Sequence, residues 1–103
     1  MQIDGLSGDL ILNSGSGEAD ILNLVAYVTG SGYRKAVVNS LQDGPEQPSV
    51  IAEEADVARS HISRALSELS EKGIVQSHGE DSRTKLYSLT ELGEAVADYV
   101  SED

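Results

Sequence analysis

The stretch PSVIAEEADVARSHISRALSELSEKG, residues 48–73, decides how the rest of the chain is read. It divides into two helical segments around a tight corner. In the first, Val50, Ile51 and Ala55 fall at offsets of one and four. Pro48 suits the first helical position, where its missing N–H is no loss. In the second, Ile62, Ala65, Leu66 and Leu69 recur at spacings of three and four, which places them on one face. Gly73 is a stop, with Lys72 in the last turn, where a cation suits the helix dipole. Between the segments, Ala55-Asp56-Val57-Ala58 is a short polar corner around one apolar residue. Val57 is expected to tuck under both helices and set their angle. Two helices joined steeply by a turn of three or four residues form a helix-turn-helix unit.

The other face of the second helix carries Arg59, Ser60, His61, Ser63 and Arg64, and no carboxylate appears until Glu68. A helix that enters a major groove needs first turns free of negative charge, with side chains that reach phosphates and base edges. Arg59 and Arg64 are the candidate phosphate contacts. Ser60, His61 and Ser63 are the candidate base-edge readers, since short groups at a helix start approach the groove floor. The plain alternative is a solvated surface, with Arg64 paired to Glu68 at i,i+4 for about 0.3 kcal/mol. Ser60 has a second reading as a helix cap, and His61 a second one as a phosphate contact.

Outward from this unit, Glu18 to Thr29 reads as a helix with Ile21, Leu22, Val25 and Val28 on one side and Leu24 widening the stripe. Gly30-Ser31-Gly32 breaks it. A second helix follows from about Ser31 to Gln42, with Tyr33, Val37, Val38 and Leu41 as its expected buried face, and Asp43-Gly44-Pro45 ends it. Arg34 and Lys35 at its start touch the DNA backbone or sit in water, with nothing to choose between the two. Past Gly73, Ile74–Ser77 and Leu86–Leu89 read as strands joined through the turn residues His78–Ser82, a two-stranded hairpin with Arg83, Thr84 and Lys85 on its return. Thr90 caps a last helix through about Val100, with Leu92, Val96, Tyr99 and Val100 on one face. Residues 1–17 form an arm rich in Gly and Ser around Leu10-Ile11-Leu12; an unstructured segment and a strand docked on a partner subunit both remain open.

The run A-D-V-A-R-S-H-I-S-R-A-L-S-E-L-S-E-K-G-I-V, followed by a polar hairpin and L-Y-S-L-T-E-L-G, resembles the winged-helix DNA-binding domain of the MarR- and ArsR-type prokaryotic transcription regulators. The specific parts are S-R-A-L-x-x-L-x-x-K-G-I-V and the terminal L-T-x-x-G, and the resemblance spans about Gly32 to Val100. It implies an α+β winged helix-turn-helix: a three-helix core, a two-stranded β-hairpin wing, and flanking N- and C-terminal helices. Residues 18–103 would then make up the domain, with double-stranded DNA as the partner. Arg83 and Lys85 would lie on the wing against phosphate or the minor groove, opposed by Glu80 and Asp81 at its tip. Ala58 departs from the family, which usually has Ser or Thr there as N-cap. Losing that cap is worth ~1 kcal/mol unless Asp56 or Ser60 replaces it.

Composition sets bounds on this reading. The chain has 103 residues, enough for one domain with a modest core. With no cysteine, disulfides, thiolate metal sites and cysteine catalysis are excluded. No apolar run approaches membrane-spanning length and no charged-then-apolar leader opens the sequence, so a soluble, cytoplasmic protein is expected. The net charge of −11 argues against nucleic acid at first sight, but it is unevenly spread. Arg59 to Lys85 holds five basic residues against four acids, a net of +1 that leaves −12 on the remainder. Such an acidic chain, with only three lysines and neither Phe nor Trp, resembles the cytoplasmic proteins of halophilic archaea. In concentrated salt the counterion release that drives DNA binding shrinks.

No nucleophile stands beside a base, no glycine loop has phosphate-cradling spacing, and His61 and His78 lack clustered Cys or Asp, so neither an enzyme nor a metal or cofactor site is expected. The core of such a domain is already filled by Val37, Leu41, Ile51, Ile62, Leu66, Leu69, Val75 and Leu89. Ile21, Leu22, Val25, Val28, Val96, Tyr99 and Val100 are then partly surplus, which points to a homodimer through the terminal helices. A two-fold dimer sets two recognition helices roughly 34 Å apart on a palindromic site. The expected function is sequence-specific transcription regulation. The rival is a winged helix that docks protein within a transcription or replication assembly, a role with no use for the acid-free Arg59–Leu66 face. The effector and the sign of regulation stay open.

Overall fold

Ser31 starts the helical core: its hydroxyl accepts the Arg34 amide at 3.3 Å and begins helix α2, Gly32–Leu41. The computed structural model describes residues 20–79 and 85–101. Before α2 lies helix α1, over residues 20–29. After it come α3 (Pro48–Ala55), α4 (Arg59–Glu71), strands β1 (Val75–His78) and β2 (Leu86–Leu89), and α5 (Glu91–Ser101). This is the α+β winged helix-turn-helix expected from the sequence. Residues 1–17 and the hairpin tip, including Glu80, Asp81, Ser82 and Arg83, lie outside the described residues.

Pro48 opens α3 as anticipated. The corner after it turns on Asp56, which closes α3 in the left-handed region at φ 59°, ψ 46°. Its N–H and that of Val57 return to carbonyls of the last turn of α3, which reverses the chain within three residues. Val57 packs half-buried against the core, as its place in the corner required. No side-chain cap closes the start of α4 at Ala58, so neither Asp56 nor Ser60 substitutes for the missing hydroxyl. Gly73, at φ 75°, ends α4 in the conformation that favours glycine.

The core joins all the helices. Val37, Val38 and Leu41 from α2, Ile51 from α3, and Ile62, Leu66 and Leu69 from α4 are buried, together with Ile74 and Val75. Val28 of α1 and Val96 and Val100 of α5 are buried in the same cluster, not surplus to it. The stripe of α5 that faces inward is Gly93, Val96, Ala97 and Val100, so Leu92 and Tyr99 are left at the margin. On α3, Ala52 is buried with Ile51, and Val50 is only half-buried. Tyr33 also departs from expectation: it is 40% exposed, because the buried face of α2 is set by Val37, Val38 and Leu41 one turn further along.

β1 and β2 pair antiparallel, with Val75 opposite Leu89 and His78 opposite Leu86. Tyr87 also exchanges both backbone hydrogen bonds with Glu46, at 3.0 and 2.9 Å, so the α2–α3 connection adds a single rung to the outer edge of the hairpin. The L-T-x-x-G signature has a concrete role. The Thr90 hydroxyl donates to the Gly73 carbonyl at 2.6 Å and accepts the Gly93 amide at 2.9 Å, tying the end of α4 to the start of α5. Gly93 lies directly over Ile74; a Cβ there would fall inside van der Waals contact of the Ile74 carbonyl and 3.3 Å from the Leu89 side chain.

Candidate nucleic-acid interface

Burying Ile62, Ala65, Leu66 and Leu69 turns the rest of α4 outward. Arg59, Ser60, His61, Ser63 and Arg64 are all exposed on the first turns of the helix, so its geometry brings these five sequence candidates onto one surface. Ser67 is exposed as well, three residues after Arg64 and four after Ser63. Helical spacing alone places it with the others, and it extends the surface by a turn.

One of these side chains is less free than an isolated helix would leave it. The His61 ring stacks on Tyr33 of α2, with centroids 4.4 Å apart and planes 3° from parallel. Periodicity places Tyr33 with the core face of α2, but Arg34 and Lys35 beside it are the sequence signal that this turn faces the surface. Arg64 is 83% exposed, and its Nε forms the expected i,i+4 ion pair with Glu68 Oε2 only at its outer limit, 3.9 Å, too long for a hydrogen bond.

Behind this surface lies a cluster that local sequence does not show. The Arg34 Nε donates to the Tyr27 carbonyl at 2.8 Å, and the guanidinium lies over the Tyr27 ring, 3.9 Å from its centroid. Arg34 Nη1 donates to Glu68 Oε1 at 3.2 Å. The Arg34 side chain is 16% exposed, so it neither projects toward a ligand nor sits in water. The Lys72 ammonium approaches the same Tyr27 ring, 5.1 Å from its centroid. The first acid on α4 is therefore held from behind by a cation of α2.

On the hairpin, Lys85 is half-buried at the root of the return strand, with its ammonium 5.7 Å from the Tyr87 ring. Arg83 lies outside the described residues. His78 pairs with the Ser88 hydroxyl at 2.8 Å across the two strands. Among the described residues no group of three or more His, Cys, Asp or Glu is placed to hold a metal ion. No helix there is long and apolar enough to cross a membrane.

Among solved structures, a double mutant of ZitR from Lactococcus lactis is 26% identical over 70% of this chain and 51% of that one, with a TM-score of 0.64. The ytfH protein of Salmonella typhimurium is 25% identical over 78% of this chain and 73% of that one, with a TM-score of 0.67. A further Lactococcus lactis ZitR mutant, solved in complex with DNA, is 24% identical over 70% and 51%, with a TM-score of 0.63. The chain thus spans about half the length of the ZitR structures it matches. No curated protein matches it. The family model described as the HVO_A0261 N-terminal domain matches residues 22–102, from within α1 through α5. The chain belongs to the HVO_A0261 N-terminal domain family.

Proposed function

We propose that this protein is a sequence-specific double-stranded DNA-binding transcription regulator of the MarR/ArsR-like kind, with α4 as its recognition helix. The observation that carries the reading is the exposed face of Arg59, Ser60, His61, Ser63 and Arg64, which holds no acid. Arginines at the start of such a helix suit phosphates, and the short side chains between them suit base edges. The structural likeness to a ZitR mutant solved in complex with DNA supports DNA binding as such. The hairpin would flank the helix, with Arg83 and Lys85 on its return toward phosphate. This is a binding role, not an enzymatic one.

The protein would act as a homodimer in the cytoplasm of a halophilic archaeon. Leu22, Leu92 and Tyr99 remain 50%, 36% and 38% exposed on the terminal helices. Ile21, Leu24 and Leu92 line one shallow depression between α1 and α5, and Ile21 and Tyr99 border a second, a surface that a second copy would cover.

The test is the salt dependence of binding to duplex DNA. Affinity should fall with rising potassium chloride, and Arg59→Ala and Arg64→Ala should each flatten the log–log slope by about 0.9 per protomer, the share of one phosphate contact, hence about 1.8 for a bound dimer. Slopes unchanged in both variants would remove α4 from the interface.

A further inference from the structure

We propose that Arg34 is a positioning residue of this interface: it holds Glu68 against α2 and so keeps Arg64 free for phosphate. The proposal rests on the DNA-binding reading above. Glu68 stands four residues after Arg64, within reach of a helical ion pair. Left to itself, it would draw one of the two arginines on the exposed face back onto the helix.

Five features decide the competition for Glu68. Arg34 is fixed before it meets the carboxylate, by the Tyr27 carbonyl at 2.8 Å and the Tyr27 ring at 3.9 Å, so little side-chain freedom is lost in forming the pair. The pair is sheltered, with the two side chains 16% and 34% exposed, and is less screened than a surface contact. Arg64 is 83% exposed and stops at 3.9 Å. An arginine before a glutamate at i,i+4 is also the weaker orientation of such a pair. The remaining cation near Glu68, Lys72, turns to the Tyr27 ring instead. Arg34 therefore neutralises the first acid on α4 without occupying its outer surface. In a chain with 18 acids against seven Lys and Arg, keeping one arginine only loosely paired matters to the face as a whole.

The experiment compares the parent with R34M, E68Q and R34M/E68Q, each checked for folding by circular dichroism. Nitrogen-15 relaxation of the Arg64 Nε–H group, without DNA, reads whether that side chain is held. R34M should raise the Arg64 order parameter and R34M/E68Q should return it to the parent value, while E68Q alone should leave it unchanged. With random-sequence duplex DNA, R34M should lose as much of the salt slope as Arg64→Ala does, about 0.9 per protomer, and the double variant should regain it. Arg64 unchanged in R34M, because Lys72 takes Glu68 instead, would overturn the proposal. So would a slope loss that persists in the double variant. If R34M fails to fold, E68Q decides: greater Arg64 mobility there would mean that Arg64 already held the carboxylate. A parent that binds no DNA, with Arg64 responding as expected, would overturn the DNA reading and leave the ion-pair arrangement standing.

Discussion

Gly93 shows how much of this fold hangs on one position. Its backbone lies against the Ile74 carbonyl, and Thr90, three residues earlier, bonds both to the Gly93 amide and to the end of α4. A methyl group there meets backbone, which has no rotamer by which to yield. Gly93→Ala should cost about 3 kcal/mol, the upper part of the range for overpacking, read as a fall in the urea midpoint at unchanged m-value. A loss below about 0.5 kcal/mol would mean that α5 slides easily over Ile74. Asp56 is a milder case, since aspartate tolerates the left-handed region. Asp56→Val should cost about 1–2 kcal/mol, because a branched side chain there clashes with the following carbonyl. The matching check is thermal unfolding of the variant beside Asp56→Gly, which should equal or exceed the parent.

At the scale of the element, α4 was fully legible in its sequence: apolar spacing gave its buried face, and the same spacing gave its exposed one. The corner before it was legible too, through Val57 and the polar residues around it. What the sequence left out lies between elements. Tyr33 looked like a core residue because it precedes Val37 by one helical turn, but the angle at which α2 meets α4 sets it beside His61. Arg34 could not be placed, since its partners Tyr27 and Glu68 lie seven and 34 residues away. The rung between Glu46 and Tyr87 is equally non-local and had no periodic signal. Val28, Val96 and Val100 belong to the core because α1 and α5 close over the central helices, a contact between distant segments that periodicity does not show. The missing cap on α4 is a defect of the element itself. Ala58→Ser should add about 1 kcal/mol of stability, seen as a higher melting temperature, and leave the DNA salt slope unaltered. No gain in melting temperature would mean that the backbone at position 58 cannot bring a hydroxyl to the first-turn amides.

Across the whole molecule, three of the five large apolar side chains exposed among the described residues, Leu22, Leu92 and Tyr99, lie on the terminal helices. If these helices form the contact between two copies, Leu22→Glu combined with Tyr99→Lys should shift sedimentation from dimer to monomer, with the helical circular dichroism retained. An unchanged sedimentation coefficient would place the contact elsewhere. The most direct test of the central claim is selection from randomised duplex DNA, followed by sequencing, at low and at multi-molar potassium chloride. The account predicts a palindrome whose half-sites are about one duplex turn apart, lost in both Arg59→Ala and Arg64→Ala. No enrichment at either salt with a folded protein would contradict it, and would leave the winged helix as a surface for docking protein.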